Sequence, residues 1–275
     1  MRELPPRAGR GVRRPAVAGR FYPADPAQLT DLVDDLLAST AIEGDGDPAR
    51  AYVVPHAGYP FSGPTAAHAY ARLRTQAGDV RRLVLIGPAH YVELHGCAVP
   101  AAAVWRTPLG DVPIDTDLAD RLGRDGHVVV DDAPHEPEHS LEVQLPFVQR
   151  ALPSPVPVLP IVVGPSNVDD VVATLTAAAT PGTTVLCSTD LSHYLDDAAA
   201  RRQDRRTVQA VLDMAHERIG IRDACGVFAL RGLVSWARHA GLRPTLLDLA
   251  TSADTVGGPG RVVGYSAFAF HPATP

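Results

Sequence analysis

The chain has 275 residues, 45% of them hydrophobic and 20% charged, with a formal net charge of −6. That length suffices to bury roughly three quarters of the unfolded surface, while the acidic balance and scattered arginines give no footprint for nucleic acid, and no apolar run reaches the ~18 residues of a membrane helix. All 25 basic residues are arginine, which excludes a lysine Schiff base, a pyridoxal phosphate anchor and a Walker-type phosphate loop. Cys97, Cys187 and Cys225 lie far apart, so neither a disulfide framework nor a zinc ribbon is indicated, and a reducing cytoplasm is the expected compartment.

Residues 1–14, rich in Arg, Pro and Gly, read as a disordered basic tail. No apolar run follows that would make them a secretory leader. Leu29, Leu32, Val33, Leu36 and Leu37 have helical spacing, and Asp25-Pro26 supplies a cap with proline at the first position, predicting a helix that ends near Thr40. A polar connector from Glu43 to Pro48 leads into a strand over 51–55, a turn-rich loop with Gly58 and Pro60, a helix from Pro64 to Leu73 and a strand over 83–87. Between Cys97 and Asp115 apolar and turn residues alternate, predicting β-structure with a turn at Pro108-Leu-Gly110.

A short helix near 117–122 and a strand over 127–130 precede Pro134-His-Glu-Pro-Glu-His139, where the prolines forbid a helix. Ser140 is placed to cap a helix running to about Leu152. Strands over 157–163 and 184–188, helices over 168–179, 198–216 and 223–239, and two last strands over 245–249 and 262–270 complete the chain. This alternation, with no internal repeat or linker, predicts a single-domain α/β sandwich over about 15–272, built on a mixed, mainly parallel sheet.

Three apolar runs deliver a histidine shortly after they end: His56 after 51–55, His90 after 83–87 and His193 after 184–188. Ligands of open α/β sheets bind at the carboxyl ends of strands, and imidazoles gathered there suit zinc, copper or iron. Asp190 could orient an imidazole or exchange a proton with it, or simply cap a helix. Glu142 reads as a first-turn helix carboxylate, whereas His135 and His139 sit in a proline-rich loop that could line the same cleft. Ser192 beside His193 is a weak nucleophile candidate, since no G-x-S-x-G elbow exists. Periodicity makes Cys225 a core thiol, like Cys97 and Cys187.

The motifs Phe21-Tyr-Pro, Pro55-His-Ala-Gly-Tyr, Gly87-Pro-Ala-His-Tyr, Trp105-Arg-Thr-Pro-Leu-Gly, Glu138-His-Ser-Leu-Glu and Ser188-Thr-Asp-Leu-Ser-His resemble, in order, those of the Memo-like family, whose bacterial and archaeal members are called AmmeMemoRadiSam system protein B. The resemblance spans about Ala16 to Phe270. It implies a fold related to the class III extradiol dioxygenases and an iron or copper site whose ligands fall on His56, His90 and Cys225, overturning the core reading of that thiol. It also implies an acid/base role for His193 with Asp190 beside it, a cleft lined by His139, Glu142, Tyr59 and Tyr194, and AMMECR-type and radical-SAM companion proteins. The expected function is a metal-dependent redox protein acting on a small molecule. The alternative is a non-catalytic module that binds a peptide or partner in the cleft.

Overall fold

The computed structural model describes residues 11–41 and 48–273. In chain order the strands are β1 (Val12–Arg13), β2 (Ala51–Val54), β3 (Arg82–Pro88), β4 (Cys97–Val99), β5 (Val104–Thr107), β6 (Gly110–Pro113), β7 (Val129–Val130), β8 (Val158–Val163), β9 (Thr183–Ser188), β10 (His193–Leu195), β11 (Leu242–Thr251) and β12 (Val262–Pro272). The α-helices are α1 (Pro26–Ala38), α2 (Tyr59–Thr75), α3 (Thr116–Arg124), α4 (Leu145–Ala151), α5 (Val168–Ala178), α6 (Asp197–Leu212) and α7 (Val227–His239).

Nine strands form one mixed sheet, in which the path β10-β12-β2-β9-β3-β8-β4-β7 carries β11 against β12. The four central strands β2, β9, β3 and β8 are parallel, while β12 joins β2 and β4 joins β8 in the antiparallel sense. Such a centre needs cover on both faces. Alternation along the strands supplies it: Tyr52, Val54, Leu83, Leu85 and Leu186 join one core beneath α1, α2 and α4, whereas Ala51, Val53, Val84, Ile86 and Cys187 join the other beneath α3, α5 and α7. Cys97 and Cys187 are core thiols, as expected.

Several elements differ from the sequence expectation, for local reasons. Helix α2 begins at Tyr59 rather than Pro64, because Pro60 fits the first turn, where no intrahelical N–H bond is lost. Ser140 does not cap a helix: its hydroxyl donates to the Pro88 carbonyl, and the chain enters α4 through a 3₁₀ turn over Glu142–Gln144. The connector from Glu43 lies almost wholly outside the described residues, as does the tail over 1–10.

At residues 11–14 the expected disorder gives way to β1, which pairs in parallel with β5 in a separate three-stranded sheet. Arg13 is the reason. Its guanidinium sits 4.2 Å over the Trp105 ring, donates to the His135 and Glu138 carbonyls at 2.7 and 2.6 Å, and pairs with the Glu142 carboxylate at 2.8 Å. Glu142 also accepts from the Ala16 and Val17 amides and the Tyr22 hydroxyl. Both members of the pair are buried, and a buried charge that loses its partner destabilises a fold strongly. We therefore expect Arg13→Met to lower stability by about 3 kcal/mol in urea unfolding at pH 7; a loss within about 0.5 kcal/mol, the range of ordinary surface changes, would show that the pair does not anchor this segment.

Candidate metal centre

His56 follows β2 and His90 follows β3, which flank β9, so the two imidazoles rise on either side of the strand that leads to Asp190 and His193. His139 arrives from the proline-rich loop. One ligand atom from each of His56, His90 and His139 lies within 4.8 Å of the others, close enough for all three to hold one metal ion. Their rings pack at centroid distances of 5.2 Å (His56–His90), 5.4 Å (His56–His139) and 4.8 Å (His90–His139). Cys225, from the loop before α7, places Sγ 3.2 Å from His56 Nε2. Gly226 permits this approach, since a Cβ there would stand 2.9 Å from the Thr189 side chain, which accepts the Gly226 amide instead.

The partners of the rings decide which nitrogens face inward. The Ser188 hydroxyl donates its one proton to the Ser140 carbonyl at 2.6 Å, so toward His56 Nδ1, 2.9 Å away, it can only accept. His56 is thereby the Nδ1–H tautomer with a bare Nε2 lone pair. Gln144 reinforces the arrangement by donating to Ser188 Oγ and the Pro55 carbonyl while accepting from the Tyr70 hydroxyl. His90 Nδ1 lies 2.9 Å from Glu138 Oε1 and its amide donates to Oε2, and the same carboxylate accepts the amides of His139 and Ser140. Carboxylate and hydroxyl partners of this kind orient metal-ligating imidazoles.

Electrostatics agree with a site built for neutral imidazole. Burial, reinforced by the neighbouring histidines, lowers His56 to about 3 and His139 to about 4. Burial would raise Glu138, but its hydrogen bonds from His90 and Ser140 prevail and hold it at about 2. Burial and the nearby Asp190 carboxyl push the Cys225 thiol up to about 12, and burial also raises Asp190 itself. The cluster opens into a cleft of about 890 Å³ whose lining includes His56, His90, His139, His193, Asp190 and Cys225.

The model of the Memo-like protein family matches residues 13–269. The chain belongs to the Memo-like family. It is 36% identical over 273 residues to a MEMO1 family protein of Methanococcoides burtonii, covering 93% of this chain and 98% of that one. A MEMO1 family protein of Methanopyrus kandleri is 34% identical over 280 residues, at 94% and 98% coverage, and one of Pyrobaculum arsenaticum is 35% identical over 282 residues, at 94% and 99%.

The remaining expected site residues of this Memo-like chain divide between cleft and interior. His193 lines the cleft with Nδ1 2.9 Å from the Leu191 carbonyl, which orients the ring in place of Asp190. Asp190 instead accepts the His56 amide at 2.7 Å, while its own amide donates to Cys225 Sγ at 3.3 Å, so it braces the loop that carries both. Tyr194 stands exposed on the rim.

Tyr59 and Glu142 do not line the cleft. Tyr59 is buried against Phe147 with its hydroxyl on the Val143 carbonyl, and Glu142 is the anchor of Arg13 described above. His135 is buried against Trp105 rather than in the cleft. The nucleophile reading of Ser192 fails for the same reason: the residue is buried, with its amide on Asp204. Glu138, Ser188 and Gln144 escaped the sequence reading as site residues. The one available signal was Glu138 standing immediately before His139 in a loop that prolines keep from being helical.

His135, like His56 and His139, is held neutral by burial, at about 3. Below its ordinary 6.5 the unfolded chain takes up protons that these three folded imidazoles refuse, so stability is complete above that pH and is lost as pH falls toward 3–4. Asp190 acts in the opposite sense, because its raised carboxyl is relieved by protonation. At pH 5 each imidazole costs about 2 kcal/mol. The metal-free protein should therefore melt at lower temperature at pH 5 than at pH 7, and His135→Gln should shrink that difference; equal pH dependence in variant and parent would refute the assignment for His135.

Proposed function

We propose that this Memo-like protein binds one iron or copper ion through His56, His90 and Cys225, with His139 against the same position, and uses it in redox chemistry on a small organic ligand held in the cleft. The observation that carries the reading is the convergence of three imidazoles within 4.8 Å, with a thiol 3.2 Å from one of them. The donor set fits: imidazole nitrogen and thiolate sulfur suit copper and iron, and neither suits magnesium or calcium. The ion would supply one-electron chemistry.

The protein's own groups do the rest. Ser188 and Glu138 hold Nδ1 of His56 and His90 and so orient the two rings toward one position, and His56, held neutral by burial, has no proton to lose near neutral pH. His193, its Nδ1 occupied by the Leu191 carbonyl, retains Nε2 on the cleft side of that bond as the group that takes or returns a proton of the ligand. Cys225 is a thiol in the absence of the ion and ligates only as a thiolate, so its entry into the coordination sphere releases a proton. Three free cysteines among the described residues agree with a cytoplasmic setting. No helix of the described residues is long and apolar enough to cross a membrane.

Metal content by mass spectrometry after anaerobic purification without a histidine tag tests the proposal. We expect about one equivalent of iron or copper, lost in His56→Ala, and an affinity weakened about 10–100-fold in Glu138→Gln. Calorimetry in buffers of different ionisation enthalpy should show one proton released per ion bound at pH 7.5, and no release with Cys225→Ser. Unchanged metal content in His56→Ala would sink the reading as a whole. Retained metal with no proton released by either the parent or Cys225→Ser would transfer the third position to His139, which is already neutral at that pH.

A further inference from the structure

Strand β10 is irregular. It pairs His193 with Val263 and Leu195 with Val262, so Tyr194 is the extra residue of a bulge, and it adopts φ of 61°, a left-handed conformation rare for a residue with a side chain. The bulge separates two functions that sequence places side by side. His193 lines the cleft, while Tyr194 remains 63% exposed on the rim with the Arg261 guanidinium 5.2 Å from its ring centre.

Arg222, from the loop before Cys225, lines the same cleft. Among the described residues neither arginine has a carboxylate within ion-pair distance, in contrast to Arg13, Arg82, Arg106, Arg150, Arg201 and Arg218. Among the described residues the only acidic one lining the cleft is Asp190, which is buried beside His56. In a chain of formal charge −6, the described rim of the cleft thus carries two arginines and no exposed carboxylate. Low-dielectric walls focus such a field on an entering anion.

The apolar part of the rim is equally uneven. Of the large apolar side chains that the described residues leave exposed, Phe61, Tyr91, Tyr194 and Ile221 line this cleft. Exposed apolar groups gathered at one concave site mark a binding surface.

We propose that the cleft selects an amphipathic organic carboxylate: Arg261, stacked on Tyr194, and Arg222 take the carboxylate, the aromatic rim takes the apolar body, and the opposite end is presented to the histidine cluster. The proposal rests on the metal-site reading for what happens at that far end, but not for the anion preference itself. A guanidinium braced on an aromatic face loses little freedom when it forms the two parallel hydrogen bonds that a carboxylate accepts.

Titration calorimetry of the purified protein with phenylacetate, 3-phenylpropanoate, 4-phenylbutanoate and 5-phenylpentanoate, each beside its primary amide, tests this. At least one acid should bind with Kd under about 1 mM and about tenfold more tightly than its amide. The preference should weaken with added salt and vanish in the double variant Arg222→Gln/Arg261→Gln, whose altered side chains are exposed and outside both cores. Acid and amide binding equally, no acid binding at all, or an unaltered preference in the double variant would each overturn it. Metal content measured on the same samples separates the two claims: lost metal with an intact acid preference removes the metal reading alone, and retained metal without the preference removes this one alone.

Discussion

One proton on one hydroxyl organises the centre of this protein. Because Ser188 donates to the Ser140 carbonyl, its oxygen faces His56 and Gln144 as an acceptor, and three separate pieces of chain are tied at that atom: the end of β9, the end of β2 and the loop that brings His139. All of the groups involved are buried. Buried polar groups of this kind stabilise only when each is satisfied, so the same network that orders the core also selects the His56 tautomer and aims Nε2 at Cys225.

Glu138 performs the corresponding task on the other side. A single carboxylate takes the amides of His90, His139 and Ser140 together with the His90 ring nitrogen, which joins the end of β3 to the proline-rich loop. The N-terminal segment braces that loop from behind, since Arg13 holds the His135 and Glu138 carbonyls and Glu142 closes on Arg13 and on the amides of Ala16 and Val17. A residue near the start of the chain therefore supports the backbone of a loop that reaches the cleft, without touching the cleft itself.

Much of the fold was legible in the sequence. The buried strands appear as short apolar runs bounded by Pro or Gly, and the helices as periodic stripes, because parallel strands with cover on both faces and amphipathic helices leave those patterns by necessity. His56 and His90 were legible as neighbours for a related reason: each comes two residues after a parallel strand, and such strands end on one side of a sheet, whereas His193, which begins β10, lines the cleft and is replaced in the cluster by His139. His139 was legible as a neighbour of the cleft. The expectations for Tyr59, Glu142 and the segment over 11–14 went astray where a polar or aromatic residue in a loop or first helical turn was free to face either the cleft or the interior.

By itself, then, the sequence determined the α/β class, the chain order of the main elements and the delivery of imidazoles to one edge of the sheet, all of which follow from local periodicity and strand polarity. Only tertiary structure decided which donors meet. Cys225 lies 169 residues from His56 and reaches it through a glycine that admits close backbone contact. Glu138 becomes the partner of His90 across 48 residues, and Arg13 becomes a buried cation only because Glu142 and Trp105 wait for it. Hydrogen bonds and ion pairs between distant segments leave no period in a sequence, since their partners are set by where the packed layers bring the chain together.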